Sequence, residues 1–300
     1  MAIRIAVGAL GTGLTREETT WLQRALAGTG RATLIVPSFA ARDACRRELA
    51  RAGMGVGVDV LTLGAWVASL WELLGDGRRL VGGLERKLLM AQVLAGAPEA
   101  GEGDAPRALT PGIVALHARA AAESLPYIER AGEAAAAREG DAVAPVLSAA
   151  ERALVQTLAR YGEELDARGL TEPSVAARLI ADQVRALAPA CTRAVAVHGV
   201  PELPEYALEL LEACAGAGEV LLCVDAGMAG MAAQLGRRLG AVVERCAPRD
   251  PDAAGAAADV PAVRFAEVAG PSARDAAYTV LVLDAARAGD VVAASPDPLA

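Results

Sequence analysis

Aromatic residues, lysine and histidine are all scarce in this chain of 300 residues. Only 3% of the residues are aromatic, Lys87 is the single lysine, and there are two histidines. Because 54% of the residues are hydrophobic, a large core can still form, but alanine, leucine and valine must fill most of it. With so few histidines, a zinc site is not expected.

The cysteines lack the spacing of a metal or redox motif. There are five, an odd number, and no two of them form a C-x-x-C pair: Cys45, Cys191, Cys214, Cys223 and Cys246. This usage is typical of reduced thiols with structural roles, and it predicts a cytoplasmic protein.

Long apolar runs and positive charge are also lacking. No uncharged apolar run reaches the ~18 residues of a membrane span, and no basic region followed by an apolar stretch marks a signal peptide. We therefore expect no membrane association. The 29 basic and 37 acidic residues give a net charge of −8. A free-standing nucleic-acid binder is usually basic, so any DNA contact must be local or be supplied by a partner.

Strand and helix patterns alternate in the first quarter of the chain. Apolar, β-branched runs at 3–7, 32–38 and 58–63 are each followed by a helical pattern. Strand patterns return at 194–200 and 219–225. This alternation predicts an α/β fold with a doubly wound parallel sheet that contains both sets of strands.

The middle of the chain has helical periodicity without a convincing strand. The best helical stretches are about 84–95, 111–124, 148–168 and 173–187. We interpret them as an all-helical insertion.

Four segments follow from these patterns. Residues 1–80 and 191–260 form the two parts of one lobe, and 81–190 form the insertion between them. Residues 261–300, with strand-like pieces at 262–270 and 290–295, begin a second lobe that looks truncated.

The first strand runs into the octapeptide GALGTGLT, residues 8–15. The phosphate-binding P-loop reads G-x-x-x-x-G-K-[ST] between a strand and a helix. Gly8, Gly13 and Thr15 match that pattern, but Leu14 replaces the lysine. Gly8, Gly11 and Gly13 can adopt positive φ and leave room for close backbone approach, and Thr15 can cap the following helix. A glycine-rich turn that never bound phosphate is the alternative.

Three later segments follow in an order that resembles a known family. PSFAARDACRREL begins at Pro37, VDVLTLGAWVASLW at Val58, and AVAVHGVPELPEYALELLEAC at Ala194. With the P-loop-like turn, they resemble the N-terminal part of the B subunit of the AddAB (RexAB) helicase–nuclease, within the UvrD-like helicase superfamily. His198 and Gly199 stand where that superfamily has the Asp-Glu of its Walker B strand.

The resemblance implies a P-loop NTPase (RecA-like) sheet with an all-helical insertion and with inactivated motifs. The full-length family is a helicase and exodeoxyribonuclease that acts in double-strand-break repair. Its A subunit, the motor, would form a heterodimer with this chain on DNA. For these 300 residues it implies a structural or DNA-guiding role, with no ATPase or nuclease activity, catalytic residue, metal or cofactor. Weak nucleotide or anion binding at residues 8–15 stays open.

The resemblance also nominates DNA contacts. Phe39 and Trp66 lie where family helicases contact single-stranded DNA, and core packing is the alternative for both. Thr62 ends the strand before Trp66. Arg42 belongs to a strip with three other arginines of one predicted helix, which is either a phosphate contact or a solvated face; these are Arg46, Arg47 and Arg51.

Two further polar residues have alternative interpretations. His198 is either a catalytic base at the end of a central strand or a polar residue left at a decayed site. Asp225 ends another strand, where capping or loop anchoring is favoured over metal binding. Two other function classes stay open for the chain: an active P-loop nucleotide enzyme with an atypical loop, and a stand-alone α/β ligand-binding protein.

Overall fold

A computed structural model describes residues 2–10, 13–96, 110–137, 149–199 and 203–246. All of them belong to one compact unit, Met1–Arg249. The second lobe predicted at 261–300, and the strands predicted at 262–270 and 290–295, lie outside the described residues.

The described part of the chain contains a six-stranded sheet in which every pairing is parallel. Its order is β3-β2-β6-β7-β1-β8. The strands are β1 (Ala2–Gly8), β2 (Ala32–Val36), β3 (Val58–Thr62), β6 (Ala194–His198), β7 (Glu219–Asp225) and β8 (Val242–Arg245). Two short strands, β4 (Arg79–Leu80) and β5 (Leu170–Thr171), form a separate parallel pair.

Nine α-helices connect these strands within the described residues. They are α1 (Arg16–Thr29), α2 (Phe39–Arg51), α3 (Leu63–Leu74), α4 (Gly83–Ala95), α5 (Pro111–Ala137), α6 (Ala149–Ala167), α7 (Pro173–Leu187), α8 (Glu205–Ala217) and α9 (Ala229–Leu239).

Helices cover both faces of the sheet. Consecutive strand residues point to opposite faces, so Ile5 belongs to one core cluster and Ala6 to the other. Helices α1 and α2 pack on the face of Ala6, and α3, α7, α8 and α9 pack on the face of Ile5. The strand runs are apolar because both faces are buried. The predicted doubly wound α/β sheet is confirmed, with 3–7 and 194–198 in one sheet.

The helical segment between β3 and β6 is built in two parts. Helices α4, α5 and α6 enclose their own core, which includes Met90, Leu158 and Tyr161. Helix α7 instead contributes Ile180 and Val184 to the core beneath the sheet. The prediction that 81–190 is all-helical is wrong in one detail, because β5 lies inside it. Each strand of that pair is only two residues long, too short for a periodic pattern.

Helix α5 is longer than predicted. It continues from Pro111 through Pro126 to Ala137, whereas the sequence pattern ended at 124. Proline cannot donate the backbone hydrogen bond inside a helix, so a helix normally ends or bends there. The Pro126 carbonyl accepts a hydrogen bond of 2.8 Å from the Arg178 guanidinium of α7.

None of the described helices is long and apolar enough to cross a membrane.

Candidate functional site

The carboxyl ends of β1, β2, β6 and β7 meet at one edge of the sheet, where open α/β sheets bind their ligands. Helices leave this edge toward opposite faces, α1 and α2 to one and α8 and α9 to the other. An open cleft of about 620 Å³ lies there. Its lining includes Leu10, Ser38, Ala44, Arg47, His198 and Asp225.

The turn from β1 into α1 is closed by a capping box. The hydroxyl of Thr15 accepts a hydrogen bond from the Glu18 N–H (3.1 Å), and the Glu18 carboxylate accepts one from the Thr15 N–H (2.7 Å). Two N–H groups at the start of the helix are thereby satisfied. The prediction that Thr15 caps α1 is confirmed.

The glycines of the turn allow neighbouring side chains to lie close to its backbone. Gly8 does not have positive φ. A Cβ on Gly8 would lie 3.1 Å from that of Cys246, and a Cβ on Gly13 would overlap the Glu48 carboxylate. A side chain at position 8 would press on Cys246, and one at position 13 would displace the Glu48 carboxylate. Gly11 lies outside the described residues.

Leu14, at the position of the P-loop lysine, points into the protein. It is 8% exposed and belongs to the core cluster that contains Trp21 and Leu49. Its N–H donates a hydrogen bond of 2.7 Å to the carboxylate of Glu48, on α2. The Glu48 carboxylate is therefore next to the backbone of residues 13 and 14, where a P-loop would present N–H groups to phosphate.

A buried acid–imidazole pair lies beside the turn. His198 Nδ1 is 2.7 Å from Glu18 Oε1, and the two side chains are 3% and 0% exposed. His198 ends β6, and Glu18 lies in the first turn of α1. The two interpretations of His198 are a catalytic base and a polar residue at a decayed site. The contact with Glu18 gives the imidazole a structural role.

The thiols nearest this pair are protonated at neutral pH. Burial raises the pKa of the Cys45 thiol to about 12, helped by the negative charges of Glu18 and Glu48. Burial, and then the Glu18 carboxylate, raises the pKa of the Cys223 thiol well above its ordinary value. A reactive cysteine needs a lowered pKa, so neither is suited to nucleophilic chemistry.

Asp225 anchors loops, as expected for it. Its carboxylate accepts hydrogen bonds from the N–H groups of Leu10 (3.2 Å) and Gly227 (2.8 Å). Within the described residues, no group of three or more histidine, cysteine, aspartate or glutamate side chains is placed to hold a metal ion.

The four candidate DNA contacts do not share one surface. Phe39 is 64% exposed, and the Arg42 guanidinium lies 4.9 Å from the centre of its ring. Thr62 caps α3 by accepting a hydrogen bond from the Ala65 N–H (3.4 Å). Trp66 is 1% exposed and lies in the core, so its indole cannot stack on a base in this conformation. Of the two roles considered for these aromatic residues, core packing therefore holds for Trp66 but not for Phe39.

The arginine strip of α2 is also divided. Arg42 pairs with Asp43 at 3.2 Å, and Arg46 donates to the Val60 carbonyl at 3.4 Å. Arg47 is exposed and lines the cleft, and it makes no ion pair within the part of the chain that the structure describes.

Two residues that organise this edge were not singled out from the sequence as site residues. Glu18 had a visible signal, the T-x-x-E pattern of a capping box with Thr15. Glu48 had none, because it reaches a turn 34 residues earlier in the chain.

No protein-family model matches the chain, and no curated protein matches it significantly.

Proposed function

We propose that this chain is an inactivated helicase-like module of a DNA-repair helicase–nuclease subunit, built on a P-loop (RecA-like) sheet. Its role is structural and DNA-guiding, without an ATPase or nuclease of its own in these residues. The observation that carries the proposal is the pair Leu14–Glu48: a buried leucine replaces the lysine, and a carboxylate lies on the turn.

This pair opposes triphosphate binding in two ways. Leu14 offers no charge to neutralise the β- and γ-phosphates. Glu48 adds a charge of the wrong sign: two like charges ~4 Å apart near a protein surface repel by about 4 kcal/mol at an effective dielectric constant of about 20. Either change alone weakens the site, and together they argue against ATP as a substrate.

The described ends of β6 and β7 are also unsuited to holding magnesium. Strand β6 ends in Val197 and His198, which supply no carboxylate for magnesium. Asp225, at the end of the next strand, has its two oxygens on backbone N–H groups. A phosphoryl-transfer site needs both the metal and the cation, so the same loss of activity follows from this second element.

The DNA-guiding part of the proposal is supported by Phe39 and Arg42. An exposed aromatic ring with an arginine over it is a surface on which unpaired bases stack, worth ~1–3 kcal/mol per base. The net charge of −8 keeps the affinity of the isolated chain low. The motor A subunit as partner is supported by the family resemblance alone.

Photochemical cross-linking tests this guiding surface without requiring tight binding. A single-stranded oligonucleotide that carries 5-bromouracil is irradiated with the protein at low salt. We expect the cross-linked peptide to contain Phe39, and Phe39→Ala to remove it.

Leu73→Ala is the matched control, because Leu73 is another exposed apolar side chain, 69% accessible, on α3. Cross-links that survive in Phe39→Ala, or that disappear equally in Leu73→Ala, contradict DNA guiding by this surface.

A further inference from the structure

The geometry points to a binding site for a small organic anion, a flat apolar ring bearing a carboxylate or phosphate group, in the cleft between α2 and Leu10. This inference is independent of DNA guiding. It concerns the cleft that Arg47 lines, not the backbone of the glycine-rich turn.

The cleft has the size and position of a ligand site. Its volume of about 620 Å³ falls in the range of ~300–1,000 Å³ typical of small-molecule pockets. It opens at the carboxyl ends of the strands, where doubly wound sheets bind their ligands.

Small side chains on α2 shape its walls. Ala40, Ala41 and Ala44 all line the cleft, and Leu10 contributes a larger apolar side chain to it. Because alanine side chains are short and apolar, a flat ring can pack against this face of the helix and be removed from water. Longer side chains at these positions would fill the space.

Arg47 is the cation that lines the cleft. Arg47 lies one turn beyond Ala44, and among the described residues it makes no ion pair. A guanidinium binds carboxylates and phosphates through paired, charge-assisted hydrogen bonds. The lining carboxylate, Asp225, accepts hydrogen bonds from the N–H groups of Leu10 and Gly227, and it forms no ion pair with Arg47 among the described residues.

The same charges separate this site from the turn. Glu48, the residue after Arg47, lies on the backbone of Gly13 and Leu14 and excludes anions there. An anion that enters this edge of the sheet is therefore repelled by the turn and attracted to Arg47.

The test titrates four probes by NMR chemical shift: phenyl phosphate, benzoate, neutral benzyl alcohol and inorganic phosphate. A ligand of this size can reach a dissociation constant of about 1 mM. We expect phenyl phosphate or benzoate to bind, and benzyl alcohol and inorganic phosphate to bind at least about tenfold more weakly, because each lacks one of the two contacts.

Three variants locate the site. Arg47→Gln should weaken binding at least about tenfold, as expected when a charged hydrogen-bond partner is lost. Ala44→Phe should abolish binding by filling the cleft. Arg51→Gln, an exposed arginine one turn further along α2, should leave it unchanged.

Circular dichroism checks that each variant is folded, and Arg47→Gln alters only an exposed side chain. The inference is overturned if neither ring anion binds up to ~10 mM, about ten times the dissociation constant anticipated for a ligand of this size. It is overturned equally if benzyl alcohol binds as tightly, or if Arg51→Gln weakens binding as much as Arg47→Gln. Unchanged binding in Arg47→Gln or in Ala44→Phe also excludes this cleft.

Discussion

The imidazole Nδ1 of His198 lies 2.7 Å from the Glu18 carboxylate, in a place where neither side chain is more than 3% exposed. The contact ties the end of β6 to the first turn of α1. Because the same carboxylate accepts the Thr15 N–H, it also holds the cap of the helix. The end of β6 is thus fixed by a buried contact to the start of α1.

Removing the histidine should destabilise the fold. His198→Ala leaves the buried Glu18 carboxylate without its imidazole partner, and removing one partner of a buried polar group costs about 1–3 kcal/mol, or more when the remaining group is charged. Urea unfolding of the variant measures this loss in the free energy of unfolding.

The other histidine is the control. His117 lies on α5. Within the described residues, its ring hydrogen-bonds only to the Ile113 carbonyl, one turn earlier in the same helix. His117→Ala should change the free energy of unfolding by far less. Equal losses in the two variants would contradict the structural role of His198.

A second buried network holds the helical segment together. The Glu172 carboxylate is fully buried, receives two-point hydrogen bonds of 2.7–3.0 Å from Arg86, and accepts the Tyr161 hydroxyl at 2.6 Å. Arg86→Met should destabilise the protein by about 3–5 kcal/mol, because it leaves a buried carboxylate without its cation.

The control for this network is Arg119→Met, which removes an exposed pair with Glu123. Exposed helix pairs contribute ~0.3–0.5 kcal/mol. Thermal and urea unfolding compare the two variants, and a similar small loss in both would show that Glu172 does not need its partner.

The buried thiols predict a loss of stability in alkali. The pKa values of Cys45 and Cys214 are raised by burial to about 12, whereas an unfolded thiol titrates near 8.5. Above pH ~8.5 the unfolded state loses protons that the folded state keeps. Each thiol then lowers the free energy of unfolding by ~1.4 kcal/mol per pH unit until its folded pKa is reached.

Urea unfolding at a series of pH values from neutral to ~10 measures this slope, and it should become smaller in Cys45→Ala with Cys214→Ala. A slope unchanged by that double substitution would assign the alkaline loss to other groups.

DNA binding by the isolated chain should be weak. Phosphate neutralisation supplies most non-specific affinity, and the net charge of −8 leaves only a local patch to provide it. In a fluorescence-anisotropy titration at ~150 mM salt, where exposed charges are well screened, we expect no sub-micromolar binding to single-stranded DNA. Sub-micromolar affinity would contradict this expectation, because Arg42 and its neighbours would then bind DNA tightly despite the net negative charge of the chain.

The sequence predicted the sheet well where burial is two-sided. Strands such as β2 and β6 are continuous apolar runs, so length and β-branching identified them. Strand β8 was not predicted because all four of its residues are exposed at the edge of the sheet, which leaves no apolar pattern. Helix α9, rich in glycine and alanine, was not predicted either.

The site was less predictable than the fold. Local chemistry identified Thr15 as a cap, but the contact of Glu48 with Leu14 depends on how two helices pack. The aromatic candidates show the same limit: Phe39 and Trp66 each follow a strand and begin a helix region, yet one is exposed and the other buried. The exposure of each aromatic side chain depends on which face of its helix packs against the sheet. The spacing of the residue from a motif does not reveal that face.

Phosphate release from ATP tests the central claim most directly. It is measured at high protein concentration for the wild type and for Leu14→Lys, with and without single-stranded DNA. We expect no turnover above background in either protein. Leu14→Lys restores one charge, but Glu48 still lies on the turn and residues 197–199 still offer no carboxylate for a metal. Turnover above background in the wild type would contradict the account, because another residue would then be doing the work of the missing lysine.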